Sequence, residues 1–199
     1  MPRVVDVDER RRQLAEAAAR LIARAGVEAA TLRDVAAEAG WTTGALTHYF
    51  ADKRELLLFT FKASLAGRHA FRDRPDERTP EELMIDSLEG ALPLDEERRR
   101  HWMVTIAFCA MATGDRELSE AQRDAYRDFR AHLAAMAWLV EPQRDPAVLA
   151  EELIAAADGI ALQALFDPAG WPPARQLSTL HELIARILRS ARPGEALLA

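Results

Sequence analysis

Residues 31–57, TLRDVAAEAGWTTGALTHYFADKRELL, decide the fold of this 199-residue chain. Thr31 opens a capping box for a short helix, which Gly40 ends. Thr42 caps a second short helix that runs to Phe50. Two short helices joined by a tight turn through a glycine have the spacing of a helix-turn-helix. The sequence therefore predicts such a unit near the N-terminus.

The second helix of this unit has one apolar face and one small, polar face. Leu46 and Phe50 share the apolar face, which locks the helix onto its neighbour. The opposite side can approach a major groove closely, and no acidic residue lies between residues 40 and 51. The candidate DNA-binding residues here are Thr42, Thr43, Gly44, Ala45, Thr47, His48 and Tyr49. An αα-hairpin inside a helical bundle has the same pattern, so the geometry alone leaves both interpretations open.

The same stretch resembles the DNA-binding signature of the TetR family of transcriptional repressors. The segments Thr43–Phe50 and Ala157–Gln163 are most similar to the BetI-like branch of that family. The resemblance implies a homodimer that binds a pseudo-palindromic operator in double-stranded DNA and is released from it by a small-molecule effector. It also implies contacts to DNA phosphates for Thr31, Arg33 and Lys53.

Two residues depart from the family pattern. Thr47 stands where the family usually has tyrosine, so a common phosphate-contacting phenol is missing. Trp41 replaces the usual valine after the turn glycine, and we interpret it as a packing residue between the two helices. The arginine run at residues 10–12 is a further candidate for DNA contact, although such a run is more often a solvated face.

The remainder of the chain also has helical patterning. Ala, Leu, Arg and Glu dominate, and no segment alternates long enough to predict a strand. Glycine and proline divide the chain into about nine helices, with a polar connector at residues 73–78. We expect an all-α fold with an N-terminal three-helix helix-turn-helix domain, residues 1–53. A C-terminal helical bundle for ligand binding and dimerisation, residues 54–199, would follow it.

Two sets of residues in the predicted bundle are candidates for binding. Large or polar side chains of the middle helices suit an effector pocket: His101, Trp102, Ile106, Cys109, Tyr126, Phe129, His132 and Gln163. By resemblance, the last two helices pair with those of a second copy through Ile154, Ala157, Gly159, Ala161, Leu165, Leu180, Ile184 and Ile187. A dimeric regulator or adaptor without an effector is the alternative.

Composition argues against several other classes of protein. The single cysteine, Cys109, cannot form an internal disulfide, and its spacing from the five histidines supports no zinc site. We therefore expect no metal and no cofactor. No nucleophile triad, carboxylate pair or phosphate-binding loop supports an enzyme. No signal segment and no stretch of roughly 20 apolar residues is present, so we expect a cytoplasmic protein without a membrane partner.

The net charge of −6 is unevenly distributed along the chain. Residues 1–54 carry nine Lys and Arg against eight Asp and Glu, whereas residues 55–199 carry 17 against 24. The near-neutral N-terminal part does not exclude DNA as a partner. It predicts weak non-specific attraction, so selectivity would depend on two half-sites engaged together.

Overall fold

The computed structural model describes residues 7–69 and 78–189, and these ranges contain nine α-helices, one 3-10 turn and no strand. The helices are α1 (Val7–Ala25), α2 (Leu32–Glu38), α3 (Thr43–Leu46), α4 (Lys53–His69), α5 (Pro80–Glu89), α6 (Glu96–Ala112), α7 (Arg116–Val140), α8 (Pro146–Phe166) and α9 (Pro173–Arg189). The predicted all-α class is confirmed. Almost all of the predicted connector lies outside the described residues.

Helix starts coincide with side chains that satisfy free backbone N–H groups. The Thr79 hydroxyl accepts a hydrogen bond from the Glu82 amide at 3.3 Å, and the Glu82 carboxylate accepts one from the Thr79 amide at 2.7 Å. Asp145 accepts from the Ala147 amide at 2.9 Å at the start of α8. These bonds are local in sequence, as are those of the caps predicted at Thr31 and Thr42.

The second helix of the helix-turn-helix is shorter than predicted. It ends at Leu46 rather than Phe50, and the chain continues as hydrogen-bonded turns. The Thr47 hydroxyl donates to the Gly44 carbonyl at 2.9 Å within this segment. Threonine and glycine have low helix propensity, so the segment does not sustain a longer helix.

Contacts divide the chain into two compact units. The described residues of the front unit are 7–69 and 100–123, and those of the rear unit are 78–99 and 124–189. The division therefore does not fall at the predicted boundary between residues 53 and 54, because α4 packs against α1 in the front unit. The predicted functional boundary stays a prediction.

The front unit is built around an apolar cluster that includes Leu14 and Ile22 of α1, Leu46 of α3 and Leu56 of α4. All four side chains are buried. The rings of Phe61 and Phe108 stack with centroids 4.1 Å apart and join α4 to α6. This packing holds the helix-turn-helix on a larger support than its own three helices.

An ion pair links the start of α4 to the turn between α6 and α7 in the front unit. Arg54 Nε donates to Asp115 Oδ2 at 2.5 Å and Arg54 Nη2 donates to Asp115 Oδ1 at 3.1 Å. Arg54 Nη2 also donates to Glu117 at 2.5 Å. The Arg54 guanidinium and then the Leu118 amide lower the pKa of Asp115 from 3.8 to about 2.

The rear unit has α8 at its centre, packed against α5 and α9. Its buried side chains include Leu153 and Ile160 of α8 and Leu180 of α9. Arg99 at the start of α6 donates to the Ala164 and Leu165 carbonyls at 3.3 and 2.9 Å. These carbonyls lie in the last turn of α8, where backbone acceptors lack helical partners.

We expect Asp115→Asn to flatten the acid end of the stability profile. A carboxylate whose pKa is lowered in the folded state stabilises the fold above its ordinary pKa of 3.8, and this contribution is lost as the pH falls towards about 2. The variant should be less stable at pH 7 and lose less stability between about pH 4 and pH 2. Urea unfolding followed by circular dichroism measures both. Asp128→Asn on α7, an exposed carboxylate, is the control, and an equal change in both variants would contradict the prediction.

Candidate nucleic-acid interface

The turn between α2 and α3 depends on the backbone conformation of one glycine. Gly40 has φ of 73°, in the left-handed region that side chains disfavour. The Gly40 amide donates to the Ala37 carbonyl at 3.0 Å, and the Trp41 amide donates to Ala36 at 2.7 Å. Ala36 is buried at this position, so a small residue lets the two helices approach closely.

Residues 42–50, the α3 segment, bury one face and leave the other face at the surface. Leu46 and Phe50 are fully buried in the front core. All ten residues predicted to bind DNA lie at the surface. Thr31, Arg33, Thr42, Thr43, Gly44, Thr47 and His48 are exposed, and Ala45, Tyr49 and Lys53 are half-buried. The structure therefore brings the predicted residues onto accessible positions of one unit, and their contact with DNA stays a prediction.

Three of the predicted threonines already use their hydroxyls within the chain. Thr31 and Thr42 cap α2 and α3 by accepting from the Asp34 and Ala45 amides, both at 3.2 Å. Thr47 donates to its own backbone turn. Their structural role is thus directly visible. Among the described residues, His48 makes no side-chain hydrogen bond and is open to an external partner.

Each carboxylate between residues 31 and 57 has a partner of its own. Glu38 binds Arg24 at 2.8 Å and Arg20 at 3.2 Å, and these bonds, led by that from Arg24, lower the pKa of Glu38. Asp34 accepts from Thr31, Asp52 from the Glu55 amide, and Glu55 from Arg11 and the Ala51 amide. The negative charge of the helix-turn-helix is therefore held by N–H and O–H donors, which reduces repulsion of a phosphate backbone.

Trp41 packs as interpreted from the sequence, and its ring also meets two further side chains. It lies against the front core, and its ring meets Tyr49 edge-on at a centroid distance of 5.5 Å. The Arg10 guanidinium lies over the Trp41 ring, 5.2 Å from its centroid. The arginine run at 10–12 has separate roles, since Arg11 instead lies over Phe50 and binds Glu55.

The predicted effector residues are divided between the two units. His101, Trp102, Ile106 and Cys109 belong to the front unit, and Tyr126, Phe129, His132 and Gln163 to the rear unit. His101 contacts the Ser64 hydroxyl, and His132 lies 3.0 Å from the Ser87 hydroxyl. The Tyr126 hydroxyl donates to Asp158 at 2.7 Å. Sequence reasoning did not select Asp158, although it lies within the family-like segment 157–163. A common pocket stays a prediction.

Most of the residues predicted for the dimer interface are buried within the rear unit of their own chain. Ile154, Ala157, Ala161, Leu165, Leu180 and Ile184 are buried in the rear unit of their own chain, Ile187 is half-buried and only Gly159 is exposed. The six buried side chains have little surface to offer a partner, and their contact with a second copy stays a prediction. Besides Ala147 in its first turn, the apolar residues that α8 does expose are Val148, Ala155, Gly159, Leu162 and Phe166. The last five, from Val148 to Phe166, are spaced three, four or seven residues apart and form one stripe along the helix.

Two protein-family models match the chain. Residues 14–58 match the model of the bacterial regulatory proteins of the tetR family. Residues 80–189 match the C-terminal model of the BetI-type transcriptional repressors. The first match contains the complete α2–α3 unit, and the second contains α5 to α9.

Individual relatives give the same result. The regulator PksA of Bacillus subtilis is 35% identical over 176 residues, covering 84% of each chain. A transcriptional regulator from Rhodococcus sp. Rha1 superposes with a TM-score of 0.83 at 30% identity, covering 90% of this chain and 96% of that one. A regulator from Saccharomonospora viridis, solved in complex with choline, has a TM-score of 0.79 at 24% identity over 89% of this chain and 96% of its own.

An all-α chain with a surface helix-turn-helix and such relatives is a DNA-binding transcriptional regulator and not an enzyme. The chain belongs to the TetR family, with a BetI-type C-terminal region. The resemblance found in residues 31–57 and 157–163 is thereby confirmed. No described helix has the length and apolar character needed to cross a membrane.

We expect Gly40→Ala to destabilise the front unit, whereas Gly44→Ala should not. An added Cβ meets no atom within 4 Å at either position, so only the backbone conformation differs between them. The positive φ at Gly40 should make alanine less stable by about 1 kcal/mol. Alanine at the helical Gly44 should leave stability unchanged or raise it by less than about 1 kcal/mol. Equal losses in the free energy of unfolding, measured in urea, would contradict this account of the turn.

Proposed function

We propose that this chain is a homodimeric transcriptional repressor that acts in the cytoplasm and is released from its operator by a small-molecule effector. Each subunit places its α3 segment in a major groove of a pseudo-palindromic site. Arg33 and Lys53 contact phosphates beside the groove, and His48 faces the base edges.

One observation carries the DNA-binding part of this proposal. The exposed face at residues 42–49 contains no carboxylate, and the carboxylates elsewhere in residues 31–57 are bonded within the chain. DNA would then meet a surface of small and hydroxyl-bearing side chains. No carboxylate in this face would compete with the DNA phosphates for hydrogen-bond donors. The overall charge of −6 does not oppose this contact, because most of the acidity lies beyond residue 54.

The exposed stripe of α8 supports the dimer. Leu162 and Phe166 are 43% and 77% exposed, and Val148 is 46% exposed. Ala155 and Gly159 lie between them and allow a second helix to approach closely. Pairing of this stripe with its copy would bury all five residues. The dimer then presents two α3 segments, as a pseudo-palindromic site requires.

Choline is the first effector probe, because the Saccharomonospora relative was solved with it. Tyr126 and Asp158 form a half-buried polar pair in the rear unit, and a carboxylate attracts a cationic ligand. The effector releases DNA only if it binds the DNA-free conformation more tightly than the DNA-bound one.

Titration of the full-length chain with DNA from upstream of its own coding region tests operator binding. Fluorescence anisotropy between 50 and 200 mM salt should show selective binding that weakens as salt rises. Arg33→Ala should lower the salt slope by about 0.9 for each phosphate that the variant no longer binds. Lys62→Ala, which removes an exposed cation from α4, is the charge-matched control and should leave the slope unchanged.

Absence of selective binding by the unmodified chain would contradict the operator proposal. Addition of choline to the preformed complex then tests release. Asp158→Asn should weaken the response to choline without changing the affinity for DNA. Release that is identical in the variant would remove Asp158 from the proposed effector site.

We expect Leu162→Glu to produce a monomer, because two carboxylates would face each other across the paired stripe. Analytical ultracentrifugation measures the oligomeric state. Operator affinity should fall by about 100-fold or more, since the second half-site no longer benefits from linkage. Ala147→Glu lies in the exposed first turn of α8 outside the stripe and should remain a dimer. A dimeric Leu162→Glu protein would place the interface elsewhere.

A further inference from the structure

The cations of the front unit differ in one respect that bears on DNA binding. Among the described residues 7–54, every arginine and lysine except Arg10 has a carboxylate oxygen within 4.0 Å. The paired cations are Arg11, Arg12, Arg20, Arg24, Arg33, Lys53 and Arg54. Arg10 is therefore the one cation among the described residues 7–54 that has no carboxylate partner.

Arg10 is nevertheless held in position. Its guanidinium lies 5.2 Å from the centroid of the Trp41 ring, within the range of a cation–π contact. Its Nη1 donates to Gln13 Oε1 at 3.2 Å, one turn along α1. A half-buried arginine fixed by an aromatic face and a neutral amide retains guanidinium donors for a further acceptor.

The Trp41 ring also connects Arg10 to the proposed DNA-binding surface. Trp41 follows the turn glycine directly, and its ring packs edge-on against Tyr49 at 5.5 Å. Arg10 on α1 is thereby placed beside the α3 segment, although the two are far apart in sequence. Valine, the usual family residue at this position, has no ring on which a guanidinium can stack.

We propose that Arg10 binds a phosphodiester of the operator backbone and that Trp41 is the residue that positions it. This inference rests on the proposed function and adds a contact from α1 to the α3 surface. The arrangement suits a phosphate, which accepts charge-assisted bonds from a planar guanidinium. Arg11 and Arg12 differ from Arg10, because their guanidinium groups bind Glu55 and Glu9.

The test is the salt dependence of operator binding by the full-length chain. Arg10→Ala should lower the slope of log affinity against log salt by about 0.9 for each phosphate that the variant no longer binds. Trp41→Val should lower the slope in the same way, because Arg10 loses its support. Trp41→Phe keeps an aromatic face and should restore most of the slope. The double variant Arg10→Ala with Trp41→Val should have the same slope as Arg10→Ala alone.

Arg12→Ala is the matched control, since it removes an exposed cation from the same run. Its slope should equal that of the unmodified chain. An unchanged slope in Arg10→Ala, with affinity and melting temperature lowered together, would show a packing role only and overturn the proposal. An equal reduction of the slope in Arg12→Ala would overturn it as well, because bulk charge would then explain both. If the unmodified chain does not bind the operator at all, the proposed function is contradicted instead.

Discussion

Burial of Leu46 and Phe50 is the constraint on which the DNA-binding surface depends. A helix of four residues has no stability of its own in water, so α3 exists because these side chains enter the front core. The core in turn joins α1, α2 and α4 with part of α6. Positive φ at Gly40 turns the chain so that burial of one face exposes residues 42–49 on the other. The recognition surface is thus a consequence of packing beneath it.

Ion pairs within the front unit determine which of its charged groups remain available to DNA. The front unit contains nearly equal numbers of acidic and basic groups, so its charge alone says little about DNA. Pairing decides which of them face a partner. Glu38 is held by Arg20 and Arg24, and Glu55 by Arg11, so these carboxylates are bonded within the chain. A surface with little net charge can then be selective, because it attracts unrelated DNA weakly.

Prediction from the sequence succeeded where the interaction is local and was incomplete where it depends on distant packing. The caps at Thr31 and Thr42 involve residues three positions apart, and the turn glycine follows from backbone sterics. One local detail was wrong, since α3 ends at Leu46 rather than Phe50 and the chain continues as hydrogen-bonded turns. The burial of the α8 residues chosen for a dimer contact depends on tertiary packing and was not foreseen. Both of its faces carry apolar residues, and the order of the residues does not say which face meets α5 and α9.

Residue order alone determined the all-α class, the helix-turn-helix and the family, because caps, turn glycines and signature motifs are contiguous in the chain. Only the tertiary structure decided which stripe of α8 remains exposed. It also decided that Arg10 is the one arginine among the described residues 7–54 without a carboxylate partner. The Arg54 pair with Asp115 and the Arg10 contact with Trp41 join residues that are far apart in sequence. The packing of the helices determines these contacts. The sequence pattern of one helix does not show which side chains of another helix will lie against it.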